Sequence, residues 1–76
     1  MNSLPKLPVL SGKELVRILT KKGFQTLGQK GSHVILMKIV NGKKIKTVVP
    51  MHPTIKIGTL LSILRQAEIN RDELEN

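Results

Sequence analysis

Cysteine, tryptophan and tyrosine are absent from this chain, and phenylalanine occurs once. Without cysteine there are no disulfide staples, no thiolate nucleophile and no cysteine-based zinc site. With a single aromatic side chain, modules that stack bases on exposed rings, such as the RNA-recognition motif and the OB-fold, are disfavoured. Acids are scarce as well: five Asp and Glu stand against thirteen Lys and Arg, and with two histidines they offer little from which to build a metal cage. No apolar run approaches the ~20 residues of a membrane span. The start, Met1-Asn2-Ser3-Leu4-Pro5, lacks the charged-then-apolar pattern of a signal peptide. The 76 residues support one domain, whose core removes only about 60% of the unfolded chain's surface from water. These absences predict a small soluble cytosolic domain with no metal, no small-molecule cofactor and no membrane partner.

What the chain has in excess is positive charge, unevenly placed. Residues 1–67 hold twelve of the basic residues and one acid, Glu14, a local charge of +11. Residues 68–76 set Arg71 against Glu68, Asp72, Glu73 and Glu75, a local charge of −3. A strongly positive body attracts RNA, DNA or an acidic protein. A solubilising surface that meets nucleic acid only non-specifically is the plainer explanation, and charge alone does not separate the two.

Pro5 and Pro8 predict an extended arm over residues 1–10, followed by one domain over 11–76 with a short acidic end. Ser11 with Glu14 three residues on reads as a capping box, with Leu15, Ile18 and Leu19 at helical spacing and Gly23 as the stop, so a helix is predicted over 12–22. Phe24, after the glycine, belongs to the core. Phe24-Gln25-Thr26-Leu27 alternates as a short first strand, broken by Gly28 and Gly31. A second strand runs from Ser32 to Val40 and a third from Lys44 to Val49, joined by Asn41-Gly42, the dipeptide that best fits a type I′ hairpin. After Gly58-Thr59, Leu60, Ile63, Leu64 and Ala67 mark one face of a second helix, and Asn70 with Glu73 caps a final turn. The expected fold is α+β: helix, three-stranded antiparallel sheet, helix, with one layer of helices on one layer of sheet.

Pairing about Asn41-Gly42 places Val34, Leu36, Ile45, Thr47 and Val49 on the core face. Ile35, Met37, Ile39, Lys44, Lys46 and Val48 take the other face, which two short helices cannot also cover. Apolar side chains left beside lysines suit a partner, although a long arm folded over them would serve as well.

His33 follows Lys30-Gly31-Ser32 at the mouth of the second strand. Glycine lets the backbone approach a ligand, and a lysine and a hydroxyl beside an imidazole can hold a phosphodiester. Imidazole gives and takes a proton near neutral pH, and RNA carries its own nucleophile, the 2′-hydroxyl. Such a residue can therefore deprotonate the 2′-hydroxyl or protonate the leaving 5′-oxygen without metal. For an isolated Gly-Ser-His the commoner role is a strand-edge histidine bonded to backbone. His52 is the second candidate: a four-residue hairpin loop pairs His33 with position 52, a two-residue loop with Pro50, and both bring the two imidazoles to one end of the sheet. A loop histidine beside proline is more often merely exposed or capping. Lys43, Lys44 and Lys46 suit phosphate-backbone contact, or equally a charged edge that deters strand pairing.

Taken in order, Ser11-Gly12-Lys13-Glu14-Leu15, Lys22-Gly23-Phe24, Gln29-Lys30-Gly31-Ser32-His33, Val49-Pro50-Met51-His52, Gly58-Thr59-Leu60 and Ser62-Ile63-Leu64-Arg65-Gln66-Ala67 closely resemble the HicA (YcfA-like) mRNA interferase toxins over about residues 11–74. The resemblance implies a fold like the double-stranded-RNA-binding domain. It implies a ribonuclease that cuts mRNA independently of the ribosome, and a HicB antitoxin that binds and masks it. It places the family's catalytic histidine on His33 and the glycine before it on Gly31, reversing the plainer reading of the isolated motif. The family's Pro-x-His falls on Pro50 and His52, where it implies structure or substrate contact rather than chemistry. Lys30, Gly31, Ser32, His52, Lys44 and Lys46 are thus the candidate substrate contacts. Two positions depart from the pattern: Leu61 stands where the family often has Arg, and Glu68 where it usually has Gly. Because Glu takes the left-handed C-cap only at a cost, helix 2 is expected to run on or end differently. The competing function is a non-catalytic basic module that binds RNA or DNA and leaves it intact.

Overall fold

The computed structural model describes residues 7–74. Its elements follow in the order α1 (Gly12–Lys21), β1 (Gln25–Lys30), β2 (His33–Val40), β3 (Lys43–Pro50), α2 (Ile57–Ala67) and a closing 3-10 turn, Arg71–Leu74. The three strands form one antiparallel sheet in the order β1-β2-β3. This is the α+β arrangement, like that of the double-stranded-RNA-binding domain, expected from the sequence. Among the described residues no helix is long and apolar enough to cross a membrane.

The capping box forms as predicted: the Glu14 N–H donates to Ser11 Oγ (3.0 Å) and the Ser11 N–H to Glu14 Oε1 (2.9 Å). The bond from the Ser11 backbone, with a smaller part from its hydroxyl, holds the Glu14 carboxyl below the usual glutamate range. At the other end the Gly23 N–H meets the Thr20 carbonyl (3.1 Å) and the Phe24 N–H the Leu19 carbonyl (3.0 Å). This Schellman closure turns the chain straight down, so that Phe24 enters the core.

Two strand expectations need correction. β1 does not stop at Leu27 but runs to Lys30, because a bulge between Thr26 and Gly28 absorbs the interruption and leaves Leu27 unpaired. Gly31 then serves as a turn residue: with φ +60 at Gly31, Gly31-Ser32 makes a two-residue connection between the paired Lys30 and His33. Asn41 and Gly42 both take positive φ, the type I′ pattern, so β3 spans Lys43–Pro50 and His33 pairs with Pro50, not with position 52.

Both helices pack over β3, on one face of the sheet. That face carries Val34, Leu36, Ile45, Thr47 and Val49, all buried with Leu15, Leu19, Phe24, Leu60, Ile63 and Leu64. Thr47, polar and 2% exposed, donates its hydroxyl to Gln66 Oε1 (2.9 Å), which ties β3 to α2 and satisfies the buried group. The opposite face is open: Ile35 and Met37 are half-buried and Ile39 and Val48 exposed, beside Lys44 and Lys46.

The structure also overturns the expectation for the end of α2. Glu68 adopts φ 58, ψ 45 and ends the helix in the left-handed position, and the Ile69 N–H closes onto the Leu64 carbonyl (3.0 Å). Tertiary contacts outweigh the local preference: Ile69 packs against the core and Leu74, in the last turn, is buried in it. Glu68→Gly is therefore expected to stabilise the fold by about 1 kcal/mol, since only the strain and an exposed ion pair are lost. Thermal melts should show this as a rise in Tm of about 5 °C; a fall would mean that the pairing of Glu68 with Lys43 outweighs the strain.

The acidic end folds back on lysines. Glu68 pairs with Lys43 (Nζ–Oε2 2.7 Å) and Glu73 with Lys22 (Nζ–Oε1 3.3 Å). The Asn70 N–H caps Glu73 Oε2 (2.9 Å) as the sequence suggested, and this bond, more than Lys22, holds the Glu73 carboxyl below the usual range. Of the expected arm, residues 1–6 lie outside the described residues, as do Glu75 and Asn76 of the acidic end. Within 7–10 the two leucines meet the fold while Pro8 and Val9 stay exposed: Leu7 packs against the core, and Leu10 is buried with its carbonyl accepting the Ile55 N–H (2.8 Å).

Candidate active site

His33 opens the central strand at the end of the sheet opposite the Asn41-Gly42 turn, between Lys30 of β1 and Pro50 of β3. The turn that delivers it is fixed by Gln29, whose Nε2 donates to the Gly31 carbonyl (3.0 Å). The strand pairing continues past the formal end of β3, with the Met51 N–H donating to the Ser32 carbonyl (2.6 Å). The chain is thereby held through Met51, and His52 follows beside the mouth of β2.

From Met51 to Lys56 the chain crosses the end of the sheet to reach α2, fixed at two points. The Gly12 N–H, first in α1, donates to the His52 carbonyl (2.9 Å), and the Ile55 N–H donates to the Leu10 carbonyl. Gly12 is buried, and a Cβ there would run into the Pro50 carbonyl oxygen and lie 2.8 Å from Met51 Cα. The start of α1 thus rests directly on the backbone that carries His52. The sequence contains a sign of this, a glycine at a first helical position that nearly any residue can fill, but nothing in it says what the glycine meets.

The result is a cleft of about 420 Å³ lined by His33, Val48, Pro50, His52, Thr54, Ile55, Lys56 and Thr59. The structure therefore brings both histidines to one cavity, as the pairing arithmetic anticipated. Its other candidates are arranged differently. Lys30, Gly31 and Ser32 are exposed at the turn before His33 and are not among the lining residues. Lys46 and Lys44 stand four and six residues along β3 from Pro50, about 13 and 20 Å from the cleft end at strand rise, on the open face. Thr54, Lys56 and Thr59 were missed, because their presence depends on how the loop after β3 crosses the sheet end.

The cleft has the means for proton transfer and for holding an anion: two imidazoles, an ammonium and two hydroxyls, with no carboxylate in its lining. Among the described residues no group of three or more His, Asp or Glu side chains is placed to hold a metal ion.

No curated protein and no solved structure matches the chain. The model of one family does, described as the HicA toxin of bacterial toxin-antitoxin, and it matches residues 12–69. That span runs from the glycine on which the His52 segment rests to the residue that closes α2, and it takes in every residue of the cleft. The chain belongs to the HicA toxin family, the toxins of a toxin–antitoxin system.

Proposed function

We propose that this toxin is an endoribonuclease that cuts mRNA by metal-independent histidine chemistry, with His33 as its catalytic residue, and that a HicB-type antitoxin neutralises it in the cytoplasm. The observation that carries this reading is the cleft shared by His33 and His52 at the end of a strongly basic sheet. The RNA 2′-oxygen attacks the adjacent phosphorus as its proton is removed, the bond from phosphorus to the 5′-oxygen breaks, and that oxygen takes up a proton, leaving a 2′,3′-cyclic phosphate and a 5′-hydroxyl. His33 performs one of these two transfers, as base to the 2′-hydroxyl or as acid to the 5′-oxygen, and solvent water performs the other. His52 contacts the substrate from the same cleft. Lys30 and the Gly31-Ser32 turn meet the chain beside His33, and Lys44 and Lys46 contact its backbone further along the open face.

The test is a defined mRNA incubated with purified protein, with and without chelator. Cleavage that persists in chelator supports the reading, and cleavage abolished by chelator sinks it. Tight, strongly salt-dependent binding that leaves the RNA intact would establish the non-catalytic module instead.

For the antitoxin, the exposed position of His33 supports inhibition by occlusion rather than by distortion of the sheet. In the complex His33 is expected to lose its solvent exposure while the β2–β3 register stays as it is here. A complex structure with His33 open to solvent would count against this.

A further inference from the structure

We infer that Lys56, not Lys30, is the cation that holds the substrate phosphate opposite His33; this rests on the ribonuclease reading above. Attack by the 2′-oxygen adds negative charge to the non-bridging oxygens of the phosphorus. His33 moves a proton, but that charge needs a fixed positive group directed at it. Sequence order favours Lys30, three residues before His33. Both lysines are exposed, but the structure places Lys30 beside His33 on the edge strand, outside the cleft lining. The one lysine in the lining is Lys56, accompanied by the hydroxyl-bearing Thr54 and Thr59.

Lys56 also stands where helix stability argues against a lysine. It is the N-cap of α2, with extended backbone (φ −63, ψ 147) and no side-chain capping bond, and the first turn of α2 contains no acid. A lysine there offers no acceptor to the free amides and sets its charge at the positive end of the helix dipole. Serine, the N-cap of α1, would satisfy the same geometry better. The backbone that presents Lys56 is firmly held, since Ile55 is buried and bonded through its N–H to Leu10. A poor helix cap on a rigid base, in the cleft that both histidines line, fits a residue that serves a ligand.

Lys56→Ser separates the two roles. It is expected to raise Tm by about 5 °C through the better cap and to lower kcat/KM for RNA cleavage about 100-fold, with Lys56→Arg recovering most of the loss. Lys30→Ser should lose less than Lys56→Ser, and Lys21→Ser, at the far end of α1, should match wild type. A second arm measures binding of a 2′-O-methyl RNA oligonucleotide, which lacks the nucleophile. There Lys56→Ser is expected to weaken affinity about tenfold and to reduce the salt slope by about one ion. Wild-type cleavage that Lys56→Ser leaves intact overturns the assignment, as does a larger loss in Lys30→Ser. If wild type fails to cut, the ribonuclease reading falls by itself, and the binding arm still decides whether Lys56 holds phosphate: unchanged affinity rejects it.

Discussion

His33→Ala is expected to lower the rate of RNA cleavage by about 10³-fold, the scale of a lost general acid or base, while the protein stays folded. The two halves of that result come from different parts of the structure. The imidazole is exposed and takes no part in the hydrogen bonds found among the described residues. Its backbone is the part that matters for the sheet, paired with Lys30 and Pro50 whatever side chain it carries. Truncation at such a position costs within about 0.5 kcal/mol, so the melting curve should barely move. His52→Ala should act mainly on KM, because that side chain meets the substrate without moving its protons. Equal cleavage by wild type and His33→Ala, with chelator present, would place the chemistry on another residue or on a contaminant.

The largest expected effect on stability lies at a residue with no side chain. Gly12→Ala should destabilise the fold by about 3 kcal/mol, toward the upper end for overpacking, out of a total that for a chain of this size is only some 4–11 kcal/mol. The added methyl meets the Pro50 carbonyl and Met51 Cα, backbone atoms that cannot rotate away. Relief requires α1 to lift from the end of β3, and that breaks the bond from Gly12 to the His52 carbonyl. Cleavage should therefore fall even at temperatures where the variant remains folded. Gly58→Ala is the matched comparison: its Cβ meets nothing within 4 Å, so the better helix residue should stabilise by about 0.5 kcal/mol. Opposite shifts in urea midpoint for these two Gly→Ala changes would confirm the argument; a shared direction would refute it.

Much of this was legible in the sequence where local rules and global packing agree. Ser11 and Glu14 announced the start of α1, Asn41-Gly42 its hairpin, and period-two alternation the residues of β2 and β3 that face the helices. The shared neighbourhood of His33 and His52 followed from counting across the hairpin, with either loop length. What could not be read is what tertiary contacts decide. Glu68 is left-handed because Ile69 and Leu74 must reach the core, against the preference of its own backbone. β1 passes through Gly28 because a bulge costs less than losing the pairing with β2. Lys56 lines the cleft because Leu10 and Gly12 fix the crossing loop, a contact spanning some forty residues of chain.

The acids of the C-terminal segment have a consequence for encounter as well as for packing. Glu68 and Glu73 neutralise Lys43 and Lys22, at the hairpin tip and at the end of α1. The histidine cleft lies at the other end of an eight-residue strand, roughly 24 Å away at strand rise. Attraction for a phosphate is therefore uneven along the strand: at Lys43 and Lys22 it is offset by carboxylates in direct contact, whereas the cleft, with no carboxylate in its lining, exerts its pull undiminished and at a range set by the Debye length.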